Sequence, residues 1–405
     1  MSADSALPLT IFAFTYLALA LGKLPFVRLD RTGAAMVGAV AMIVAGTLSK
    51  EAAIQAVDFH TLGLLLGMMI VVADIRLSGL FSYLAATFFR RARTGFGLLA
   101  LTVAVAGLLA AFFVNDVVCL VLAPVLMDVA RDSGIDPVPL MLGLACASNV
   151  GSAGTITGNP QNMIVAGFAH LPFLGYMLHV GPGALAGLVV VFAVIGVVYR
   201  KPLARKCSLP DGQPPRVVTK LLAAKAAVIA IGALIGFAVG YPTDLVALTA
   251  ASAVLLVGRS RLERVYEQVD FTMLLMFAGL FVVVAGVQTT GLHKRLLELV
   301  GVGRLTHPAI LAATIAVLSN LVSNVPAVML FRPLYPLLGG AQRTAMLLAA
   351  ASTYAGNLTI LGSVANLIVV ENAHVRHLEI SFAEHLRIGV PITVLTLLIA
   401  ILTLR

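Results

Sequence analysis

A polar stretch at residues 148–162 carries side chains that could bind a solute. It reads Ser-Asn-Val-Gly-Ser-Ala-Gly-Thr-Ile-Thr-Gly-Asn-Pro-Gln-Asn and lies between apolar runs at 140–147 and 163–168. A polar break in an apolar helix is costly in lipid, because lipid offers no partner for the freed amides and carbonyls. Such a break persists only inside protein or beside a water-filled cavity. We therefore predict a discontinuous transmembrane helix whose broken middle holds a small polar solute.

Three further polar interruptions accompany this one. Residues 343–373 form a second broken span, and residues 96–131 and 305–338 read as re-entrant hairpins. Each hairpin tip is followed by a half-helix, whose N terminus presents unpaired amides and a partial positive charge. We expect the two tips and the two breaks to meet near the middle of the membrane. The candidate solute-binding residues are Asn115, Asn149, Thr155, Thr157, Gly158, Asn159, Asn162, Ser323, Asn324, Thr359, Gly362, Ser363 and Asn366.

Asp116 is the ionisable side chain at the tip of the first hairpin, and Val325 takes the matching place in the second. An ionisable group at this depth in a membrane is a functional candidate. A carboxylate that loses and regains a proton would couple solute movement to the proton gradient. Its alternatives are a sodium ligand, a helix cap or an ion pair with Arg332. Arg332 could pair with Asp116 or Asp128, or attract an anion.

The composition identifies the class of protein. Of 405 residues, 60% are hydrophobic and 11% are charged, and the mean hydropathy is +1.03, which is typical of a polytopic membrane protein. Three cysteines at unrelated spacings indicate neither a disulfide framework nor a zinc site, and no cofactor is expected. The net charge of +9 reflects basic residues in short loops, so nucleic-acid binding is not predicted.

The second half of the chain repeats the first. Val57-Asp58-Phe59 recurs as Val269-Asp270-Phe271, and the remaining matches include the pairs Gly67 and Gly279, Gly79 and Gly291, Leu80 and Leu292, Asn115 and Asn324, Gly158 and Gly362, and Asn162 and Asn366. We predict an all-α polytopic membrane protein with two inverted repeats. Each repeat has five transmembrane crossings and one re-entrant hairpin, with discontinuous helices at the midplane. The first repeat spans residues 1–199, a basic cytoplasmic linker spans 200–220, and the second repeat spans 221–405.

Loop charges predict the orientation. The basic loops at 22–31, 90–93, 200–220 and 259–264 fall on one side, which indicates the cytoplasm of a plasma (inner) membrane, with both termini outside. Lys294, Arg295 and Arg304 are exceptions, because they are basic residues that fall on the predicted outer side. Residues 78–89 read as a helix lying in the interface or as part of one long tilted span. Histidines at span ends, His293 and His385 among them, are expected to be solvated.

Residues 113–124, 148–165 and 352–366 resemble the ion transporter superfamily. The similarity is greatest to arsenite permeases and to related NhaD-type antiporters and anion transporters, and it covers nearly the whole chain. It implies a secondary transporter that works by alternating access. In the divalent-anion/sodium symporter branch, Ser-Asn-Thr motifs stand at the tips and breaks. Here the motifs end in valine, at Val150 and Val325, which argues against a dicarboxylate substrate.

Neutral hydroxyls and amides suit arsenous acid, a mostly uncharged trihydroxy solute. They could equally wrap an oxyanion, bind sodium through carbonyls, or only satisfy the broken backbone. Cys119, one turn after Asp116, is a candidate ligand for arsenic, although a buried cysteine is more often a small apolar residue. The leading hypothesis is efflux of arsenite or antimonite. A sodium/proton antiporter and an organic or inorganic anion transporter are the alternatives within transporters.

Two other classes of protein fit the sequence less well. A passive channel is suggested by Asn159-Pro160-Gln161, but the second half has Ser363-Val364-Ala365 at that place. An enzyme is not predicted, because no metalloprotease, serine-hydrolase or ATP-binding motif is present. The expected partners are the lipid bilayer, a small inorganic or organic solute, and a proton or sodium ion as the coupling ion. A separate ATPase subunit and a homodimer remain open.

Overall fold

The computed structural model describes residues 3–21, 29–207, 220–257, 262–289 and 302–404, which are mostly helical. Side-chain caps begin several helices; Asp58, for example, accepts from the Thr61 amide at 3.0 Å. The helices of the first half are α1 Ala3–Leu21, α2 Arg31–Val44, α3 Lys50–Ala56, α4 Phe59–Leu77, α5 Leu80–Phe89, α6 Gly95–Phe112, α7 Asn115–Asp132, α8 Pro137–Ser152, α9 Pro160–Ala169, α10 Phe173–Val198 and α11 Arg200–Leu203. Those of the second half are α12 Lys220–Val239, α13 Thr243–Val257, α14 Leu262–Tyr266, α15 Phe271–Thr289, α16 Val302–Leu305, α17 Pro308–Val322, α18 Asn324–Phe331, α19 Gln342–Ala355, α20 Val364–Val375 and α21 Phe382–Thr403.

Six helices in the described ranges are long and apolar enough to cross a membrane, namely α4, α6, α10, α12, α15 and α21. A helix satisfies its own backbone hydrogen bonds, which suits it to lipid. Large apolar side chains such as Leu108 and Leu185 are exposed on the outer faces of these helices. In a bilayer those faces contact lipid tails, so the chain is a multi-pass membrane protein.

The two inverted repeats pack against each other in reciprocal pairs. Helix α4 packs on α13, and its repeat equivalent α15 packs on α2, the equivalent of α13. Glycine allows both contacts to be close. A Cβ added at Gly67 would lie 2.5 Å from the carbonyl carbon of Ala247, and one at Gly279 would lie 2.8 Å from that of Ala35. The residues of the first contact therefore have counterparts in the second.

Both predicted hairpins are present. Helices α6 and α7 are antiparallel neighbours joined at Phe113 and Val114, so that Asn115 begins the returning arm. Helices α17 and α18 are joined at Ser323, and Asn324 begins the returning arm. Ser323 has φ of 76°, which is uncommon for a residue with a Cβ atom. The second tip is thus a tight, strained turn.

Both predicted helix breaks are present as well. Helix α8 ends at Ser152, a short 3₁₀ turn spans Ile156–Gly158, and α9 follows. In the second half α19 ends at Ala355, a 3₁₀ turn spans Ile360–Gly362, and α20 follows. The first break is buried throughout and the second is largely buried. This agrees with the rule that irregular backbone at membrane depth is surrounded by protein or water.

Residues 78–89 do not continue α4 as one long span. Gly79 has φ of 74°, which ends the first helix and allows α5 to leave at a new angle. Other sequence expectations lie outside the described residues. They concern Lys23, Arg28, Arg259, Gly291, Leu292, His293, Lys294, Arg295 and residues 208–219 of the linker.

Candidate functional site

Each helix break is held by one asparagine of the helix that follows it. Asn162 Nδ2 donates to the carbonyl oxygens of Ser152 at 3.0 Å and Thr155 at 2.8 Å. Asn366 Nδ2 donates in the same way to the two matching carbonyls, at 2.7 and 3.0 Å. These bonds satisfy carbonyl groups that the breaks leave without helical partners. Both amide nitrogens are therefore engaged within the protein.

The two breaks are joined to each other through the same two asparagines. Asn149 Nδ2 donates to Asn366 Oδ1 at 2.9 Å, and Thr353 Oγ1 lies 3.1 Å from Asn162 Oδ1. Asn149 and Thr353 stand at equivalent positions before their breaks, as Asn162 and Asn366 do after them. The internal repeat therefore forms the same contact between the halves twice.

Asn149 is the centre of a hydrogen-bonded group that we call the central network, made of Asn115, Asn149, Asn357, Ser363 and Asn366. Its Oδ1 accepts from Asn115 Nδ2 at 3.0 Å and from Ser363 Oγ at 2.9 Å. Its Nδ2 donates to Asn357 Oδ1 and Asn366 Oδ1, both at 2.9 Å. The network joins the first hairpin tip to both broken helices. All of its members are neutral, so the network offers hydrogen-bonding groups rather than charge.

Asn159 connects α9 to the second half. Its Oδ1 accepts from the backbone N–H of Asn162 at 3.2 Å, which caps α9. Its Nδ2 donates to Ser152 Oγ at 2.8 Å and to Thr353 Oγ1 at 3.1 Å. Gln161 Nε2 reaches the same threonine hydroxyl at 3.3 Å. Two amides of the first half thus converge on one hydroxyl of the second.

A cavity of about 100 Å³ lies beside the central network. One buried water needs about 10–15 Å³ of such space, so the cavity can hold several waters or a small solute. Five residues predicted from the sequence line it, namely Asn115, Asp116, Ser323, Asn324 and Ser363. The other lining residues are Arg31, Pro160, Gln161, Met273, Met276, Phe277, Val325, Pro326 and Val364.

Asn324, one of the lining residues, carries an unused acceptor. Its Oδ1 is buried and has no hydrogen-bond partner within the described part of the chain. An unpaired buried polar group costs about 1–3 kcal/mol. A hydroxyl donor on a bound solute, or a water, would satisfy it.

The cavity wall contains one acidic and one basic residue, Asp116 and Arg31. The backbone N–H of Ala365, in the first turn of α20, faces the Asp116 carboxylate. A helix N terminus favours negative charge, so this position suits a carboxylate that is at times ionised. Arg31 begins α2, and its Nε donates to the carbonyl oxygen of Leu19 at 3.2 Å.

Arg332 pairs with neither of the two aspartates considered from the sequence. Its guanidinium lies 4.8 Å from the ring centre of Phe281 and donates to the carbonyl oxygen of Ala56 at 3.4 Å. An aromatic face and a carbonyl thus supply its electrostatic partners. Asp128 instead pairs with Arg376 at 2.5 Å. The Asp116 carboxylate is therefore not fixed by the ion pair considered above.

The predicted threonines support the breaks rather than line the cavity. Thr155 Oγ1 donates to the carbonyl oxygen of Ala111 and lies 3.3 Å from Thr157 Oγ1. Thr359 Oγ1 donates to Asn320 Oδ1 at 3.0 Å. The hydroxyls satisfy polar atoms of the neighbouring hairpin arms, and this holds each break against its hairpin.

The two predicted glycines of the breaks serve packing. A Cβ added at Gly158 would lie 2.1 Å from the carbonyl oxygen of Ser152, and one at Gly362 would lie 2.7 Å from Asn320 Oδ1. Neither glycine lines the cavity. Both let the backbone fold tightly onto the preceding helix end.

Sequence reasoning missed four polar residues of the site, namely Arg31, Gln161, Thr353 and Asn357. Thr353 carried a signal, because it is the repeat equivalent of Asn149. Asn357 matches Ala153, an apolar residue, so the repeat gave no reason to expect a polar contact at this position. His385 was expected to be solvated, but it is buried in α21, and its Nε2 lies 3.0 Å from the carbonyl oxygen of Asn357.

Comparison with known proteins places this chain in a wider group. The CitMHS family, described as citrate transporter, matches residues 16–342. The silicon efflux transporter LSI3 of Oryza sativa subsp. japonica is 28% identical, with 94% of this chain and 93% of that protein aligned. An uncharacterized transporter of Mycobacterium tuberculosis is 30% identical, with 98% of this chain and 97% of that protein aligned. A Dictyostelium discoideum protein provisionally named the transporter arsB is 22% identical, with 92% of this chain and 87% of that protein aligned.

A solved structure shares the fold. The crystal structure of the Alcanivorax borkumensis YdaH transporter superposes with a TM-score of 0.59 at 18% identity, covering 98% of this chain and 96% of that chain. The two broken helices, the two hairpins and the family match over most of the sequence lead to one conclusion. The chain belongs to the citrate transporter (CitMHS) family, a group of membrane transporters within the ion transporter superfamily.

Proposed function

We propose that the chain is a secondary active permease that exports arsenite or antimonite by alternating access. The observation that carries this proposal is the convergence of neutral amides and hydroxyls beside a cavity with one carboxylate in its wall. Arsenous acid is mostly uncharged near neutral pH and has three hydroxyl groups. Each hydroxyl can donate to an acceptor such as Asn324 Oδ1 and accept from an amide or hydroxyl.

Asp116 is the proposed proton carrier. It is the acidic residue among those that line the cavity, and it lies at the tip of the first hairpin. In alternating access this hairpin would move with the solute. When deprotonated it faces the amide end of α20, and when protonated it adds a hydroxyl donor to the cavity. Protonation would change the hydrogen-bond donors and acceptors that face the solute. This change would couple proton movement to solute movement.

The cross-half hydrogen bonds supply the proposed moving parts. Asn149 to Asn366 and Thr353 to Asn162 join the two broken helices directly. Breaks tied together in this way would move as one unit with the solute. The cavity would then open to alternate sides as the unit shifts against α2 and α15, whose residues Arg31 and Met273 form part of the wall.

Silicic acid is the second candidate substrate. A relative aligned over 94% of this chain is named a silicon efflux transporter. Silicic acid shares the two properties on which the argument depends, since it is small and carries several hydroxyls without charge. The same neutral side chains would bind it.

An organic anion such as citrate is a third possibility, because it is the family's named substrate. One basic side chain, Arg31, lines the cavity, and it shares the wall with the carboxylate of Asp116. A multivalent anion would have to bring compensating cations or protons with it. A sodium/proton antiporter and a passive channel remain outcomes of the transport test.

The cellular setting is also a proposal. We infer a plasma (inner) membrane location with both termini outside, from the loop charges. A homodimer, and a separate ATPase subunit on the cytoplasmic loops, are compatible with this arrangement.

The substrate can be tested with everted membrane vesicles that contain the full-length chain. Accumulation of arsenite, antimonite, silicic acid and citrate is measured with an imposed pH gradient, and vesicles without the chain serve as the control. We expect gradient-dependent accumulation of arsenite and antimonite, and accumulation of silicic acid alone would favour the second candidate. Accumulation of citrate without arsenite or antimonite would overturn the proposal. Equilibration of arsenite across the membrane without accumulation would overturn it as well.

A further inference from the structure

Tyr176 binds the first helix break from outside the central network. It is the fourth residue of α10, and its side chain is fully buried. Its Oη donates to the carbonyl oxygen of Ala153 at 3.1 Å. Ala153 caps the end of α8, where carbonyl groups lose their helical partners. The phenol therefore satisfies one polar atom that the break exposes.

His385 binds the second break in the same way. It is the fourth residue of α21, the helix equivalent to α10, and 1% of its surface is exposed. Its Nε2 lies 3.0 Å from the carbonyl oxygen of Asn357, the repeat equivalent of Ala153. A carbonyl only accepts hydrogen bonds, so Nε2 carries the proton. Two chemically different side chains thus make one structural contact in the two halves.

The second contact leads directly to the central network. Asn357 accepts from Asn149 through its side chain while its backbone carbonyl accepts from His385. Helix α21 lies close against this backbone, since a Cβ added at Gly389 would be 2.3 Å from the same carbonyl oxygen. The imidazole therefore fixes the position of a residue that bonds the centre of the site.

We propose that Tyr176 and His385 are equivalent positioning residues, each of which anchors a helix break to the closing helix of its repeat by donating one hydrogen bond. His385 acts as a fixed donor here, and not as a carrier of the transported proton. The effect on transport rests on the proposed function of the site, whereas the effect on the breaks does not.

Two amide substitutions test the second anchor. His385→Gln places an amide nitrogen near the position of Nε2, and His385→Asn has the same chemistry on a side chain too short to reach. Amide hydrogen exchange is measured by mass spectrometry at residues 153–159 and 356–363 of the full-length protein in lipid nanodiscs. We expect His385→Asn to raise exchange at 356–363 about two- to tenfold, as for the loss of one hydrogen bond. His385→Gln is expected to stay near the wild type.

The first anchor is tested with Tyr176→Phe, which removes one oxygen atom and is expected to raise exchange at 153–159 by a similar factor. Tyr199→Phe is the matched control for this break, because its hydroxyl bonds the Glu384 side chain and not a residue of the first break. If His385→Gln and His385→Asn exchange alike, or if Tyr176→Phe matches Tyr199→Phe, the proposal is wrong. These readouts need no substrate, so they are independent of whether the wild type transports arsenite.

Where the wild type does transport arsenite, the same variants separate positioning from proton transfer. We expect Tyr176→Phe and His385→Asn to raise KM, while His385→Gln keeps the wild-type KM and the wild-type pH profile. A shifted pH profile in His385→Gln would show that the imidazole titrates during transport and would overturn the assigned role.

Discussion

The side-chain nitrogen of Asn149 lies 2.9 Å from the side-chain oxygen of Asn366, and this bond joins the helix before one break to the helix after the other. The equivalent bond runs from Thr353 to Asn162. A fold made of two inverted copies can form such a contact twice, because each copy supplies one donor and one acceptor. The two broken helices are therefore hydrogen-bonded to each other twice.

Asn149→Ala removes the four hydrogen bonds at the centre of the network. It leaves buried partners unpaired, at about 1–3 kcal/mol for each that finds no water. We expect a lower unfolding temperature in detergent and little arsenite transport. Asn372→Ala is the control, because the side chain of Asn372 donates to the carbonyl oxygen of Ile368 in its own helix. Equal behaviour of the two variants would show that the network is not central.

Thr353 is expected to act through its hydroxyl. Its Oγ1 accepts from Asn159 and Gln161 and lies within hydrogen-bonding distance of Asn162 Oδ1. Thr353→Val keeps the shape and removes the hydroxyl, so we expect it to reduce transport strongly. Thr353→Ser keeps the hydroxyl and should retain most of the activity. Vesicle uptake assays on both variants, corrected for protein amount, check this, and an active valine variant would contradict it.

The close helix contacts between the halves should tolerate no side chain. A Cβ at Gly67 or Gly279 would meet backbone atoms of the partner helix at 2.5–2.8 Å. We expect Gly67→Ala and Gly279→Ala each to destabilise the protein by about 1–3 kcal/mol, as overpacking does. Gly232→Ala is the control, because the space around Gly232 is open. Thermal unfolding should separate the first two from the third, and similar unfolding temperatures for all three would contradict the packing.

Arg31→Gln distinguishes an uncharged substrate from an anion. Hydrogen bonds to charged groups contribute about 1.5–3 kcal/mol, so an anion held by Arg31 would lose roughly 10- to 150-fold in affinity. We expect the KM for arsenite to change by less than about threefold, since a neutral solute can exchange one donor for another. A loss of tenfold or more would indicate that the transported species is an anion.

Much of the architecture follows from patterns that the chain repeats. Glycine and asparagine at constant spacing, such as Asn162 and Asn366, predicted two breaks, and the breaks are where the sequence placed them. The detail of the site did not follow. Residues that face a cavity and residues that hold a break are both polar, so Thr155 and Thr359 could not be told from Asn115 in the sequence. Only the packing of the two halves decides between these roles.

Arg31 and His385 show the same limit in another form. Arg31 was read with the basic loop before α2, but the turn of that helix brings it to the cavity. His385 stands near a span end in the sequence, yet α21 packs against the second break and buries it. The charge of a residue and its place along the chain predict how near it lies to the membrane surface. They do not predict which residues of other helices it contacts.

The central claim is tested most directly by the proton coupling of Asp116. Purified full-length protein is reconstituted into liposomes, and arsenite efflux is measured with and without an imposed pH gradient for the wild type, Asp116→Asn and the control Asp132→Asn. Asp132 lies on the same helix and pairs with Arg90 at 3.6 Å, away from the cavity. We predict that the gradient accelerates efflux by the wild type and the control but leaves Asp116→Asn unchanged. If efflux by Asp116→Asn still follows the gradient, the proposed coupling through this carboxylate is wrong.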